Sequence, residues 1–157
     1  MPSRRKDIRM SQTEMTAFLH SQANGAMATM GPGEFPHVVH LAYLYREEDG
    51  SVWAPSFAKA QKVVNLRRNP HAAFLVESIG DYADIKGALL RGVVSIIDDP
   101  DQVKAFHYEL QGHAQRFHRS ENVPPIDIEA IAPKRVALRL EVKKTVSWDH
   151  SRLGGLY

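Results

Sequence analysis

The sequence predicts a mainly β domain, an antiparallel barrel of about six strands with three helices between or around them. Two observations carry this prediction. The first apolar segments are joined by two successive turn signals, the Gly-Pro-Gly of residues 31–33 and the Glu-Glu-Asp-Gly of residues 47–50, which indicate an antiparallel meander. Residues 136–142 then alternate apolar and polar side chains, as a half-buried strand does.

The strands are assigned from runs of β-branched and aromatic residues between turn signals. The predicted strands cover residues 25–30, 37–46, 51–57, 72–78, 88–97 and 136–142. Residues 119–133 contain three prolines and predict a loop, whereas the tail, residues 144–157, has no obvious local fold.

Three segments have helical patterns and recognisable ends. The predicted helices cover residues 11–22, 57–69 and 100–118. Ser11 and Glu14 have the spacing of a capping box at the first helix. Pro70 ends the second helix, because the residue before a proline is disfavoured in helical geometry. Asp99 followed by Pro100 is a strong start for the third.

Length and composition restrict the class of protein. The 157 residues are 43% hydrophobic and fit a single domain, residues 1–157, with a basic arm at residues 1–10. The absence of cysteine excludes disulfide scaffolds, zinc-thiolate sites, iron–sulfur clusters and cysteine nucleophiles. No apolar run approaches the roughly 20 residues of a membrane helix, so we expect a soluble, cytoplasmic protein.

The histidines do not form a recognisable metal motif. His37 and His40 are three residues apart in a strand and point to opposite faces, and His107 and His118 are roughly 16 Å apart along a helix. We therefore expect surface histidines or histidines satisfied by internal hydrogen bonds, and no metal site. The motifs of hydrolase nucleophiles, phosphate loops and dinucleotide folds are also missing, so we assign no catalytic residue.

One segment, residues 50–76, contains basic residues but no acidic residue. Lys59 and Lys62 fall on one face at the start of the predicted second helix, where the helix dipole disfavours a cation by roughly 0.3–1 kcal/mol. A bound phosphate would reverse this cost, because backbone N–H groups and both ammonium groups would converge on one anion. The alternative is a pair of solvated lysines on an exposed helix.

Aromatic residues suggest where a ring system would lie. Val39, Leu41, Tyr43 and Trp53 either line a slot for a flat ring or form ordinary core. Trp148 lies in the unassigned tail and needs an apolar place to sit, which is its own barrel, a partner subunit or a ligand ring.

Three segments carry a family resemblance: GAMATMGPGEFPHVVHLAYLY (25–45), KAQKVVNLRRNP (59–70) and ALLRGVVSIIDDP (88–100). They resemble the first hairpin, the K-x-x-N-L-R-R-[DN]-P phosphate-side helix and the long glycine-containing strand of the pyridoxamine 5'-phosphate oxidase-like FMN-binding split-barrel superfamily. The ending VSWDHSRLGG resembles its flavin- and deazaflavin-dependent reductase branch. The resemblance implies a six-stranded antiparallel split barrel of Greek-key type, and a homodimer with two cofactors between the subunits.

The resemblance also implies positions for the cofactor. Lys62 matches the phosphate-binding lysine, Ser56 and Gln61 match loop positions, and Val39 and His40 match the strand beside the ring. Many relatives have an arginine two residues before the lysine, where this chain has Ala60, so Lys59 is a candidate substitute as a point charge. The expected cofactor-binding residues are Val39, His40, Ser56, Lys59, Gln61, Lys62 and Trp148.

We therefore expect an FMN-binding oxidoreductase that moves a hydride to or from a small organic substrate, with the cofactor ring doing the chemistry. The deazaflavin coenzyme F-420 is the alternative cofactor, since the Arg4-Arg5-Lys6 arm could meet its anionic polyglutamyl tail. True pyridoxamine phosphate oxidases end in an R-x-H motif that His150-Ser151-Arg152 only loosely reverses, so vitamin B6 oxidation is not expected.

Two hypotheses of other classes remain open. A non-catalytic module would hold flavin or haem in the same cleft, with His40 or a tail histidine as the axial ligand of haem. A basic barrel that binds RNA would require a basic body, but the charge beyond residue 9 is nearly neutral.

Overall fold

A computed structural model describes residues 4–117 and 126–154, without the side chain of Arg4; His118 and the end of the tail lie outside the described residues. The strands are β1 (Asn24–Met30), β2 (Pro36–Ala42), β3 (Leu44–Arg46), β4 (Ser51–Phe57), β5 (His71–Ser78), β6 (Lys86–Ile97) and β7 (Arg135–Asp149). The helices are α1 (Gln12–His20), α2 (Gln61–Arg68), α3 (Pro100–Gln115) and α4 (Ile128–Ile131). No helix in these ranges is long and apolar enough to cross a membrane.

The strands form one antiparallel sheet in the order β2-β1-β5-β6-β7-β4-β3. Although β2 and β3 follow each other in the chain, they lie at opposite edges of this sheet, and β2 contacts β4 across the gap. The sheet therefore curls into the split barrel that the sequence predicted.

The structure has seven strands where six were predicted, because the segment 37–46 divides at Tyr43. The Tyr43 side chain is fully buried, and its hydroxyl donates a hydrogen bond of 2.5 Å to the carbonyl oxygen of Leu19 on α1. The chain changes its pairing partner at this anchored ring. Before Tyr43, β2 pairs with β1, and after it, β3 pairs with β4.

The predicted meander is correct for only part of the sheet. The two hairpins, β1–β2 and β3–β4, are present, but β1 also pairs with β5 and β4 with β7. Only β5, β6 and β7 follow one another as a meander.

The helix caps agree with the predictions. Ser11 and Glu14 form both hydrogen bonds of the capping box, and the Asp99 side chain accepts the backbone N–H of Gln102. Helix α2 begins four residues later than predicted, since Phe57 still belongs to β4 and pairs with Arg135.

Residues 119–125 of the predicted loop lie outside the described residues, but residues 126–133 and the unassigned tail contain structure that was not predicted. Asp127 caps the short helix α4 by accepting the N–H of Ala130. Strand β7 continues to Asp149, whose backbone N–H donates to the carbonyl oxygen of Ile8 in the basic arm at 2.7 Å. Arg152 also donates to the carbonyl of Arg9 at 2.7 Å, so the arm and the tail fold against each other.

The core has two parts. The main cluster fills the barrel and contains Tyr43, whereas a second cluster between α3 and the outer faces of β4 and β7 contains Trp53 and Phe106. Tyr43 and Trp53 therefore belong to the core and do not line a ring-binding slot. The Trp53 indole donates to the Ser51 hydroxyl at 2.9 Å.

One row of side chains on the outer face of the sheet is also apolar. Ala26, Leu75, Leu89 and Val146 face one another across β1, β5, β6 and β7. The first three side chains are half-buried, and Val146 is 41% exposed. The outer face of an antiparallel sheet is usually polar, so this row is unusual for a surface that meets only water.

Candidate functional site

The turn between β4 and α2 forms the candidate site. The N–H of Ala60 donates to the carbonyl of Phe57 at 3.0 Å, and the N–H of Ala58 donates to the carbonyl of Lys134 at 3.0 Å. Ala60 is the N-cap of α2 and makes no side-chain cap. The first N–H groups of a helix lack acceptors within it, so the amides of Gln61 and Lys62 are available to an external acceptor.

Lys62 lies in the first turn of α2 and is half-buried. Burial, with a smaller contribution from the charge of Arg135, lowers the pKa of the Lys62 ammonium below its ordinary value. Lys62 has no ion pair with any carboxylate of the described residues. An anion from outside the chain would stabilise a cation in this position.

A hydrogen-bond chain fixes the orientation of α2. The Gln61 side-chain amide donates to the Asn65 side-chain oxygen at 2.8 Å, and the Asn65 amide donates to the Thr29 hydroxyl at 3.0 Å. Asn65 is fully buried and Thr29 is 3% exposed. The Asn of the K-x-x-N motif therefore ties α2 to β1 and holds its first turn at the end of the barrel.

Ser56 and Lys59 flank this turn in different environments. Ser56 is buried at the inward-facing end of β4, where its hydroxyl donates to the carbonyl of Phe57 at 3.1 Å. Lys59 is exposed and makes no hydrogen bond or ion pair within the part of the chain that the structure describes. The structure therefore brings Ser56, Lys59, Gln61 and Lys62 into one turn, but only Ser56 and Lys62 lie partly inside the protein.

Val39 and His40 lie on β2, the strand that contacts β4. Their side chains point to opposite faces: Val39 pairs with the buried Met27 on the inner side, whereas His40 is exposed and pairs with Ala26 on the outer side. Val39 is thus on the inner side of the strand next to the turn, and His40 belongs to the outer face of the sheet.

Trp148 lies far from Lys62 within one chain. It is near the end of β7, thirteen residues beyond Arg135 beside the turn, or roughly 40 Å measured along the strand. Its indole covers Gly87, where an added Cβ would come within 2.2 Å of the ring. Trp148 and the turn that holds Lys62 are therefore at opposite ends of β7.

Trp148 instead borders a basic groove of about 740 Å³ between the arm and β7. The lining residues are Arg5, Lys6, Ile8, Arg9, Lys144, Thr145, Val146, Ser147, Trp148 and His150, with no acid among them.

Three residues near the turn were not among the expected site residues. The guanidinium carbon of Arg135 lies 3.5 Å from the centre of the Phe57 ring, and burial lowers the pKa of the Arg135 guanidinium. His107 on α3 is 7% exposed, and burial, followed by the charge of Arg135, lowers its pKa. Phe57 and Arg135 are distant in the sequence and lie side by side because of the register in which β4 pairs with β7. This register is known only from the structure.

His107 also departs from the expectation of surface or satisfied histidines, because its Nε2 is buried and has no hydrogen-bond partner in the described structure. Within residues 4–117 and 126–154, no group of three or more histidine and carboxylate side chains is placed to hold a metal ion.

The turn has the properties of an anion site. Lys62, Arg135 and the available amides of α2 are donors, and neither side chain is paired with a carboxylate of the described residues. The buried Nε of Arg135 has no hydrogen-bond partner among those residues. The residues present therefore fit the phosphate end of a nucleotide-like cofactor.

Comparisons with known proteins agree with the fold and with the family resemblance. The sequence model of the family described as pyridoxamine 5'-phosphate oxidase matches residues 11–149. The structure is similar to that of the conserved hypothetical protein Rv2991 from Mycobacterium tuberculosis, with a TM-score of 0.81 and 31% identity over 99% of this chain and 95% of that chain. No protein with a curated description matches the sequence.

Two further solved structures share the fold at lower identity. An F-420 reductase has a TM-score of 0.64 and 22% identity, over 82% of this chain and 93% of that chain. An FAD-binding protein from Mesorhizobium loti has a TM-score of 0.66 and 22% identity, over 88% of this chain and 94% of that chain.

Proposed function

This chain belongs to the pyridoxamine 5'-phosphate oxidase family, and on that premise we propose that it is an FMN-binding oxidoreductase. The observation that carries the proposal is the half-buried, unpaired Lys62 at the uncapped start of α2. Burying an ammonium group without a partner is costly, and a phosphate group removes that cost while it also accepts hydrogen bonds from the backbone.

The chain's own residues hold and orient the cofactor in this proposal. Lys62 and the first amides of α2 bind the phosphate, the Gln61–Asn65–Thr29 hydrogen bonds keep that turn in place, and Val39 lies beside the ring. When bound, FMN supplies hydride transfer to or from a small organic substrate. The protein orients the ring and the substrate and excludes water, and no side-chain nucleophile is required.

The proposal includes a homodimer with the cofactor between the subunits. The apolar row of Ala26, Leu75, Leu89 and Val146 offers a second copy a surface to bury. Trp148 lies next to Val146 on the same face, too far along β7 to meet Lys62 of its own chain. In the proposed dimer, the Trp148 side chain that contacts the cofactor therefore comes from the second copy.

The basic groove favours a second candidate, a reductase that uses the deazaflavin coenzyme F-420. This coenzyme has the anionic polyglutamyl tail that a groove lined by Arg5, Lys6, Arg9 and Lys144 would attract. The similarity to an F-420 reductase supports the same candidate at the level of the fold.

Equilibrium binding and spectra distinguish the candidates. We expect the purified chain to bind FMN, with the absorption bands of a bound flavin, and to oxidise a nicotinamide donor only when loaded. Tighter binding of F-420, reversed by salt, would support the deazaflavin candidate. A Soret band on haem addition that is lost in His40→Ala would favour the haem-binding module, and failure to bind any of the three would refute the proposal.

A further inference from the structure

Arg135 is held beside the start of α2 by the sheet itself. It is the first residue of β7 and lies opposite Phe57, the last residue of β4. Its guanidinium carbon lies 3.5 Å from the centre of the Phe57 ring. Stacking on an aromatic ring fixes the plane of a guanidinium and leaves the N–H groups at its edge free to bind.

Apart from the Phe57 ring, the guanidinium of Arg135 has no hydrogen-bond or ion-pair partner among the described residues. In the described ranges it makes no ion pair, and its buried Nε makes no hydrogen bond. The charge of Arg135 acts on another cation, Lys62, and on the buried His107. A buried donor without an acceptor is destabilising, so this cluster is incomplete without an anion.

The other residues of this turn leave room for a guanidinium. Ala60, two residues before Lys62, has a methyl side chain that can donate no hydrogen bond. Lys59 is exposed and, as an ammonium group, cannot make the two parallel hydrogen bonds of a guanidinium. Arg135 reaches the same turn from β7, because the N–H of Ala58 is bonded to the carbonyl of its neighbour Lys134.

We infer that Arg135 is the second phosphate-binding residue of this chain, supplying a guanidinium from β7 to the start of α2. This inference rests on the proposed function, since it assigns a residue to the same phosphate site. It also limits the role of Lys59, which remains in solvent.

Binding of FMN and of riboflavin, which lacks the phosphate, tests the inference in the full-length chain. We expect Arg135→Gln to weaken FMN binding about tenfold to a hundredfold and to leave riboflavin binding unchanged. Arg135→Lys keeps the charge but loses the second hydrogen bond. Its FMN affinity should therefore lie between the affinities of the unmodified chain and of Arg135→Gln. Arg67→Gln, at an exposed position in the last turn of the same helix, is the matched control and should change FMN affinity less than twofold.

The outcomes separate the inference from the function. If Lys62→Gln weakens FMN binding and Arg135→Gln does not, Arg135 is not a ligand and the proposed function stands. Equal losses for FMN and riboflavin in both Arg135 variants would give Arg135 a structural role only and overturn the inference. If the unmodified chain does not prefer FMN to riboflavin, the phosphate site itself is wrong.

Discussion

Lys62 illustrates how burial changes the chemistry of a single side chain. Its pKa is lowered by burial and by Arg135, so the ammonium loses its proton at a lower pH than an exposed lysine does. In the proposed site only the charged form of Lys62 would hold the phosphate of FMN. Binding of FMN should therefore depend on the protonation of Lys62.

This property predicts the pH dependence of FMN binding. As pH rises toward the lowered pKa of Lys62, FMN affinity should fall, and the fall should begin below the ordinary lysine pKa of 10.5. Riboflavin, titrated in parallel, corrects for ionisation of the ring. Lys62→Arg is the control, because a guanidinium stays protonated and should keep its FMN affinity over this range. An affinity in the unmodified chain that stays constant to pH 10.5 would contradict the account.

The sequence was sufficient to make Lys62 a candidate phosphate ligand, but it did not indicate Arg135. Lys62 stands in a local motif with a helix start and an unfavourable dipole, all of which are visible in neighbouring residues. Arg135 reaches the turn through the register of β4 with β7, and the buried environment of His107 comes from helix packing. The register between two strands that are far apart in the chain cannot be predicted from a single sequence.

At the scale of elements, Gly92 allows the two longest strands to stay paired. The register of β6 with β7 shifts between Arg91 and Gly92, and a Cβ on Gly92 would lie 1.9 Å from the carbonyl oxygen of Glu141. The obstructing atom belongs to the backbone, so a side chain has no rotamer that avoids it. The irregularity therefore depends on glycine at this position.

Two glycine substitutions test this point. Gly92→Ala should destabilise the protein by about 1–3 kcal/mol, measured by denaturant unfolding. Gly112→Ala is the control, because Gly112 is exposed on α3 with no atom within 4 Å of the added Cβ. That change should be neutral or stabilise the helix by about 0.5–1 kcal/mol. Equal effects of the two substitutions would contradict the described register.

Local signals predicted most elements correctly. The errors lie where contacts with residues far away in the chain determine the structure. The caps at Ser11 and Asp99 and both hairpin turns were correct, since each depends on a few adjacent residues. The division at Tyr43 depends on a bond to α1, and the extension of β7 depends on pairing with β6 and the arm. Neither contact is encoded within the segment that it changes.

For the whole molecule, the apolar row on the outer face predicts association. A Leu75→Glu substitution places a charge in the middle of that row and should convert a dimer to a monomer, measured by sedimentation equilibrium. FMN affinity should fall with it, because the proposed cofactor site uses both copies. Ile79→Glu is the control, because Ile79 is 93% exposed, and it should leave the mass of the dimer in sedimentation equilibrium unchanged. A monomeric unmodified chain that still binds FMN would contradict the dimeric site.

The central claim is that this family member binds a phosphate at the start of α2 through Lys62. Its most direct test compares FMN with riboflavin on the unmodified chain and on Lys62→Glu, with circular dichroism as a check of folding. The account predicts that the unmodified chain prefers FMN and that the substitution weakens FMN binding at least about a hundredfold, with riboflavin binding unchanged. Equal FMN affinity in both proteins would contradict it.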